Sequence, residues 1–179
     1  MAFFTTPFQP RSIIMRKTLV NFLLFSLAAS AGSLALAQAG GGNIEFKNVA
    51  EIETEVKGAD GKVEKKRSPV QKAIPGTVII YTSSFKNIGA KGAGNISVNN
   101  PIPANTTLVA GSAYGDSTDI NYSTDGGKTW ATADKVKIKG ADGKDRAAGV
   151  SEITHIRWTL KNELPAGKQS EVGFRVVVN

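Results

Sequence analysis

From residue 44 onward the chain alternates between apolar and polar positions over short runs, and Gly, Pro and Asp punctuate the runs. The first run is "IEFKNVAEIETEV". Ile44, Phe46, Ala50, Ile52 and Val56 fall on one parity and Glu45, Lys47, Glu51, Glu53 and Glu55 on the other, with Asn48 and Val49 as exceptions. Period-two alternation predicts a strand with one buried face, because successive side chains point to opposite sides of a sheet. At strand rise the run spans about 43 Å, against about 17–20 Å for a common strand, so a bulge or bend near Asn48 is expected. "KGADGK" (57–62) supplies an Asp-Gly turn, and "VEKKRSPVQKAI" returns as a polar edge strand carrying Lys65, Lys66, Arg67 and Pro69.

Further strands are predicted over Thr77–Phe85, "ISVNNPIP", Thr106–Tyr114, "INYS", "KVKIK", "ITHIRWTL" and "VGFRVVVN". In "ITHIRWTL", Ile156, Trp158 and Leu160 share one face, which places Trp158 in the core, and His155, Arg157 and Thr159 share the other. "GADGK" recurs at 140–144, where a loop is expected. No segment has helical periodicity. Many short strands with Gly/Pro/Asp turns predict an all-β, antiparallel β-sandwich with an N-terminal strand-hairpin extension.

The first 39 residues read differently. They contain no acidic residue, Arg16 and Lys17 precede an apolar run from Leu19 to Leu36, and the run ends in "ALAQA". A basic end, an apolar middle and a small-residue exit form a secretory signal peptide, with cleavage expected after Ala37 or Ala39. Met15 starts that pattern more naturally than Met1. Asn21, Ser26, Ser30, Gly32 and Ser33 weaken the run as a membrane span, so no transmembrane segment is expected after cleavage. The organisation is then a leader over 1–39, the strand and hairpin over 40–72, and the main sandwich over 73–179. The whole chain has a net charge of +7. Without the leader, 19 basic residues face 15 acidic ones, a net of +4 that signals no nucleic-acid partner. The absence of cysteine excludes disulfides, thiolate metal sites, thiol nucleophiles and a lipoprotein anchor.

From about Ala73 to Val178 the order of motifs is distinctive: "IPG", "YT", "KNIG", "NNPIP", "VAGSA", "YSTDGGKTW", then "LPAG". This order resembles the DUF11, or conserved-repeat, family of bacterial and archaeal envelope domains. The resemblance implies an Ig-like sandwich and an envelope location. It brings no catalytic residues. Thr77 departs from the acidic residue that often follows the Pro-Gly pair in that family.

"STDGGKTW" is similar to the Asp-box hairpin of sialidases, through Ser123, Asp125, Gly126, Gly127 and Trp130. A propeller needs several such boxes and far more chain, so one box predicts a structural turn. His155 is the single histidine and is expected on the solvent face, without a catalytic or metal role. Trp130 is expected to lid the hairpin. Asp116, Asp119 and Asp125 lack a regular calcium-loop spacing. Lys135, Lys137 and Lys139, expected on one strand face, lack aromatic residues between them for base stacking. Neither a cofactor nor a metal site is expected. The three N-x-S/T matches, at Asn95, Asn105 and Asn121, are frequent by chance and carry no function here.

These features point to a secreted or cell-envelope structural or adhesion module, not an enzyme, whose partners are other proteins or copies of itself. A second expectation is a filament subunit assembled by exchange of the segment that carries Ile44, Phe46, Ala50, Ile52 and Val56. A weaker third is a carbohydrate-binding or hydrolytic protein.

Overall fold

A computed structural model describes residues 36–40, 43–58 and 61–179, the first of these segments by its backbone alone. Among these residues twelve strands follow one another: β1 Leu36–Gly40, β2 Ile44–Lys57, β3 Val63–Pro69, β4 Val78–Asn87, β5 Gly94–Pro101, β6 Thr106–Leu108, β7 Tyr114–Gly115, β8 Thr118–Ser123, β9 Lys137–Lys139, β10 Asp145–Ala147, β11 His155–Leu160 and β12 Gln169–Val178. The remaining element is a 3-10 turn at Val150–Glu152. The fold is all-β, as the alternation predicted. Among the described residues no helix is long and apolar enough to cross a membrane.

β9 and β10 form a separate two-stranded sheet, and the other ten strands form two antiparallel sheets with a shared core. The smaller has the order β1-β5-β11-β8. The larger has the order β3-β2-β4-β12-β6, with β7 also against β12. From the smaller sheet Ile96, Val98, Ile156 and Trp158 point inward, and from the larger Phe85, Val172, Phe174 and Val176 meet them. All eight are at most 1% exposed. Burying each such side chain contributes about 1.5–3 kcal/mol. Trp158 lies against Phe174 with ring centroids 5.9 Å apart, and Tyr81 stacks on Phe174 at 5.3 Å. A polar chain crosses the same interior: Asn100 Nδ2 donates to Ser83 Oγ (2.9 Å), which donates to Asn48 Oδ1 (2.7 Å). That bond accounts for the polar residue in the apolar row of β2.

No bulge interrupts β2. Ile44 to Ile52 pair in unbroken register with Asn87 to Ile79 of β4, and Glu51 to Lys57 pair with Pro69 to Val63 of β3. The surplus length is absorbed by a change of partner. Ile44, Phe46, Ala50 and Ile52 pack on the core, and Phe46 stacks on Phe85 at 6.2 Å. Val56 lies beyond β4 on the two-stranded arm and is 45% exposed. Within this arm Glu53 pairs with Lys65 (3.1 Å) and Arg67 (3.7 Å), and Arg175 of β12 (3.7 Å) ties it to the sandwich.

The predicted strand Thr106–Tyr114 is two short strands. Between them the chain turns at Gly111, whose φ of 67° suits a residue without Cβ. Ser112 mends the interrupted pairing: its hydroxyl donates to Val109 O (2.7 Å) and accepts from Arg175 N (3.0 Å). The expected loop after Lys139 is the hairpin β9–β10. Both "GADGK" copies close alike. Gly58 N donates to Lys62 O and Gly61 N to Gly58 O; Gly140 N donates to Lys144 O and Gly143 N to Gly140 O.

Of the expected leader, residues 1–35 lie outside the described residues. Its end is described: Leu36, Ala37 and Gln38 pair antiparallel with Asn99, Val98 and Ser97 of β5, and Gly40 with Gly94 after a shift in register.

Candidate functional site

The hairpin after β8 holds the densest polar constellation. Tyr122 and Ala131 close its base by two backbone hydrogen bonds, of 2.7 and 3.0 Å. Within it, Asp125 Oδ1 accepts from Ser123 Oγ (2.7 Å), Lys128 N (3.0 Å) and Thr129 N (3.0 Å), and Oδ2 accepts from Thr129 Oγ1 (2.7 Å). The buried Ser123 hydroxyl in turn accepts from Gly127 N (2.9 Å) and Asp125 N (3.3 Å). Gly126 N reaches Thr154 Oγ1 (3.1 Å), which anchors the turn to the residue before β11.

These donors favour the charged carboxylate. The amide and hydroxyl of Thr129, then the Ser123 hydroxyl, hold Asp125 well below the usual carboxylate range, and desolvation opposes them only in part. Gly127 has φ 84°, and a Cβ there would stand 3.3 Å from Cζ2 of Trp130. The turn thus needs glycine for its conformation and for the approach of the indole.

Trp130 lies over the start of β11. The Arg157 guanidinium carbon sits 3.9 Å from the centroid of the indole, and His155 meets the ring edge-on at 6.5 Å. Arg157 Nε donates to Asn99 Oδ1 of β5 (2.8 Å), which fixes the guanidinium in place. His155 is half-buried, with Nδ1 3.2 Å from Thr154 Oγ1. Burial pushes its imidazole below the ordinary value, and the nearby Asp125 carboxylate opposes that shift. Arg157 and Asn99 carried no sequence motif of their own. Only the strand parity of Arg157, shared with His155, hinted at its place.

The other candidates are dispersed. Asp119 forms an ion pair with Lys161 (3.1 Å). Asp116 borders an open depression of about 590 Å3, together with Tyr114, Glu163 and Glu171. Among the described residues no three acidic or histidine side chains converge to hold a metal ion. Lys137 and Lys139 lie on β9, but Lys135 lies in the turn before it, and Lys139 pairs with Asp145 at 2.6 Å.

Three of the quoted motifs share one property: their polar atoms hold the chain at turns. Asn87 of "KNIG" is 0% exposed. It donates to Lys91 O (2.7 Å) and Leu164 O (2.8 Å) and accepts from Gly89 N (2.9 Å). In "IPG", Gly76 N donates to Val178 O. In "LPAG", Gly167 N donates to Asn87 O.

No family model matches the chain, and no curated protein or solved structure is detectably similar to it. The DUF11 resemblance rests on the motifs themselves.

Proposed function

We propose that this protein is an exported, cell-envelope β-sandwich module of the Ig-like kind, which works through surface contacts with protein partners and performs no catalysis. The observation that carries this reading is the state of Asp125. Both carboxylate oxygens are engaged by the hairpin's own donors, so neither is free to take a proton from a substrate or to attack one. The Arg157 guanidinium occupies a face of Trp130 on which a sugar ring would stack. The leader pattern supports export, and the DUF11 resemblance supports an envelope address. The in-chain pairing of Ile44–Ile52 with β4 favours a self-contained module over a filament subunit that donates this segment.

The test is made on protein recovered from the host. Its intact mass should begin at Gln38 or Gly40, in the envelope fraction or the medium. Full-length chain held in the cytoplasm or the inner membrane refutes export. The recovered protein should not cleave sialosides. Cleavage that Asp125→Ala abolishes in a folded protein refutes the non-catalytic reading.

A further inference from the structure

Unpaired sheet edges invite pairing with another chain, and the edges of this fold differ in how they are guarded. β3 carries Lys65, Lys66, Arg67 and Pro69. β6 and β7 are only three and two residues long. Beside β8, the returning hairpin pairs Ala131 with Tyr122. β5 is guarded only at its ends, by the register shift near Asn95 and by Pro101. It reads Gly-Asn-Ile-Ser-Val-Asn-Asn-Pro, without a charged side chain, and among the described residues β1 alone covers its outer edge. β1 lies across the small-residue exit of the leader. Cleavage after Ala37 leaves three of its residues, Gln38–Gly40, with Gln38 still opposite Ser97, whereas cleavage after Ala39 leaves only Gly40.

We infer that leader removal after Ala39 uncovers the β5 edge, and that this edge pairs antiparallel with β5 of a second copy about a two-fold axis at Ser97. The inference rests on the export reading above. Ile96 and Val98 are 0% exposed, so the bared edge presents unpaired backbone N–H and C=O groups next to the core. The segment is nearly symmetric about Ser97: Asn95-Ile96-Ser97-Val98-Asn99. Antiparallel pairing about that residue sets Ser97 against Ser97 and Ile96 against Val98. Every side chain then keeps its face. Ile96 and Val98 stay over the two cores, and Ser97 stays on the face where it now meets Thr159 (3.2 Å). No charge opposes a like charge, and one patch serves both copies, as a closed two-fold dimer requires. Asn95, with φ 54°, ends the regular stretch. The pair is therefore short, and the dimer dissociates on dilution.

Sedimentation of the exported protein from micromolar to near-millimolar concentration, with its intact mass, tests this. A mass starting at Gly40 and a reversible dimer are expected. Ser97→Lys sets two ammonium groups opposite each other at the axis and should weaken the dimer by roughly tenfold or more. Because the chain has no cysteine, Ser97→Cys should give a disulfide-linked dimer on mild oxidation, whereas Lys66→Cys on β3 should not. The cysteine pair decides the matter if Ser97→Lys does not fold. A mass starting at Gln38 leaves Ser97 covered and overturns the inference alone, and one that retains Leu36–Ala39 overturns it together with the expected processing. A correctly cut protein that stays monomeric, forms filaments, or dimerises as well with Ser97→Lys overturns the dimer alone.

Discussion

The loop held by Asn87 and the hairpin held by Asp125 solve one problem with different chemistry. Each turn has more backbone polar groups than its own hydrogen bonds can satisfy, and each uses one side chain as a hub. Asn87 is fully buried and must serve two carbonyls and one amide, so it needs donors and an acceptor together. A neutral amide offers both without bringing charge into the core. Asp125 is partly exposed and is met only by donors. A carboxylate suits that site, since it accepts at every lone pair and its charge stays near water. Burial and the mix of donors and acceptors decide which hub is amide and which is acid.

Exchanging the chemistry of the buried hub should have the largest effect. Asn87→Asp replaces a donor to two carbonyls with a carboxylate that they repel. A loss of about 3–5 kcal/mol in denaturant unfolding is expected at neutral pH. The folded-state pKa of that new carboxyl is raised above its unfolded value of about 3.9, so the penalty grows as pH rises past that value and shrinks in acid. A variant as stable as the parent would show that the hub is dispensable.

Asp125 should show the opposite slope. Its folded-state pKa is lowered, so its contribution is fully present above the ordinary carboxylate value and is lost as pH falls through the depressed one. Hydrogen exchange should find the Lys128 and Thr129 amides protected at neutral pH and released in strong acid. Asp125→Asn should flatten that acid dependence, with a smaller change in melting temperature than Asn87→Asp causes. A flat profile in the parent protein would contradict the assigned donors.

The smallest effect concerns the cover over the hairpin. Arg157→Lys keeps the charge but gives up the planar stack on Trp130 and the bond from Nε to Asn99. A loss of about 0.5–1 kcal/mol is expected in thermal unfolding, with a change in Trp130 fluorescence. Equal stability and unchanged fluorescence would show that the guanidinium contributes only its charge.

Much of this was legible along the chain, wherever the physics is local. Alternation marks strand faces because side chains alternate across a pleat, which placed Ile44, Phe46, Ile156 and Trp158. Gly, Pro and Asp mark turns because of their own torsional freedom and short polar side chains, which placed both GADGK turns and the Asp125 hairpin. What only the tertiary structure decided depends on partners distant in sequence. β2 changes partner at Glu51 instead of bulging at Asn48, because β4 ends where β3 takes over. Asn48 is polar within an apolar row because Ser83, its neighbour on β4, bonds to it, and Asn100 reaches Ser83 from the other sheet. The edge of β5 is left to Leu36–Gly40, and Arg157 comes to rest on Trp130. No local pattern encodes such pairings, since they follow from which surfaces meet once the chain has closed on itself.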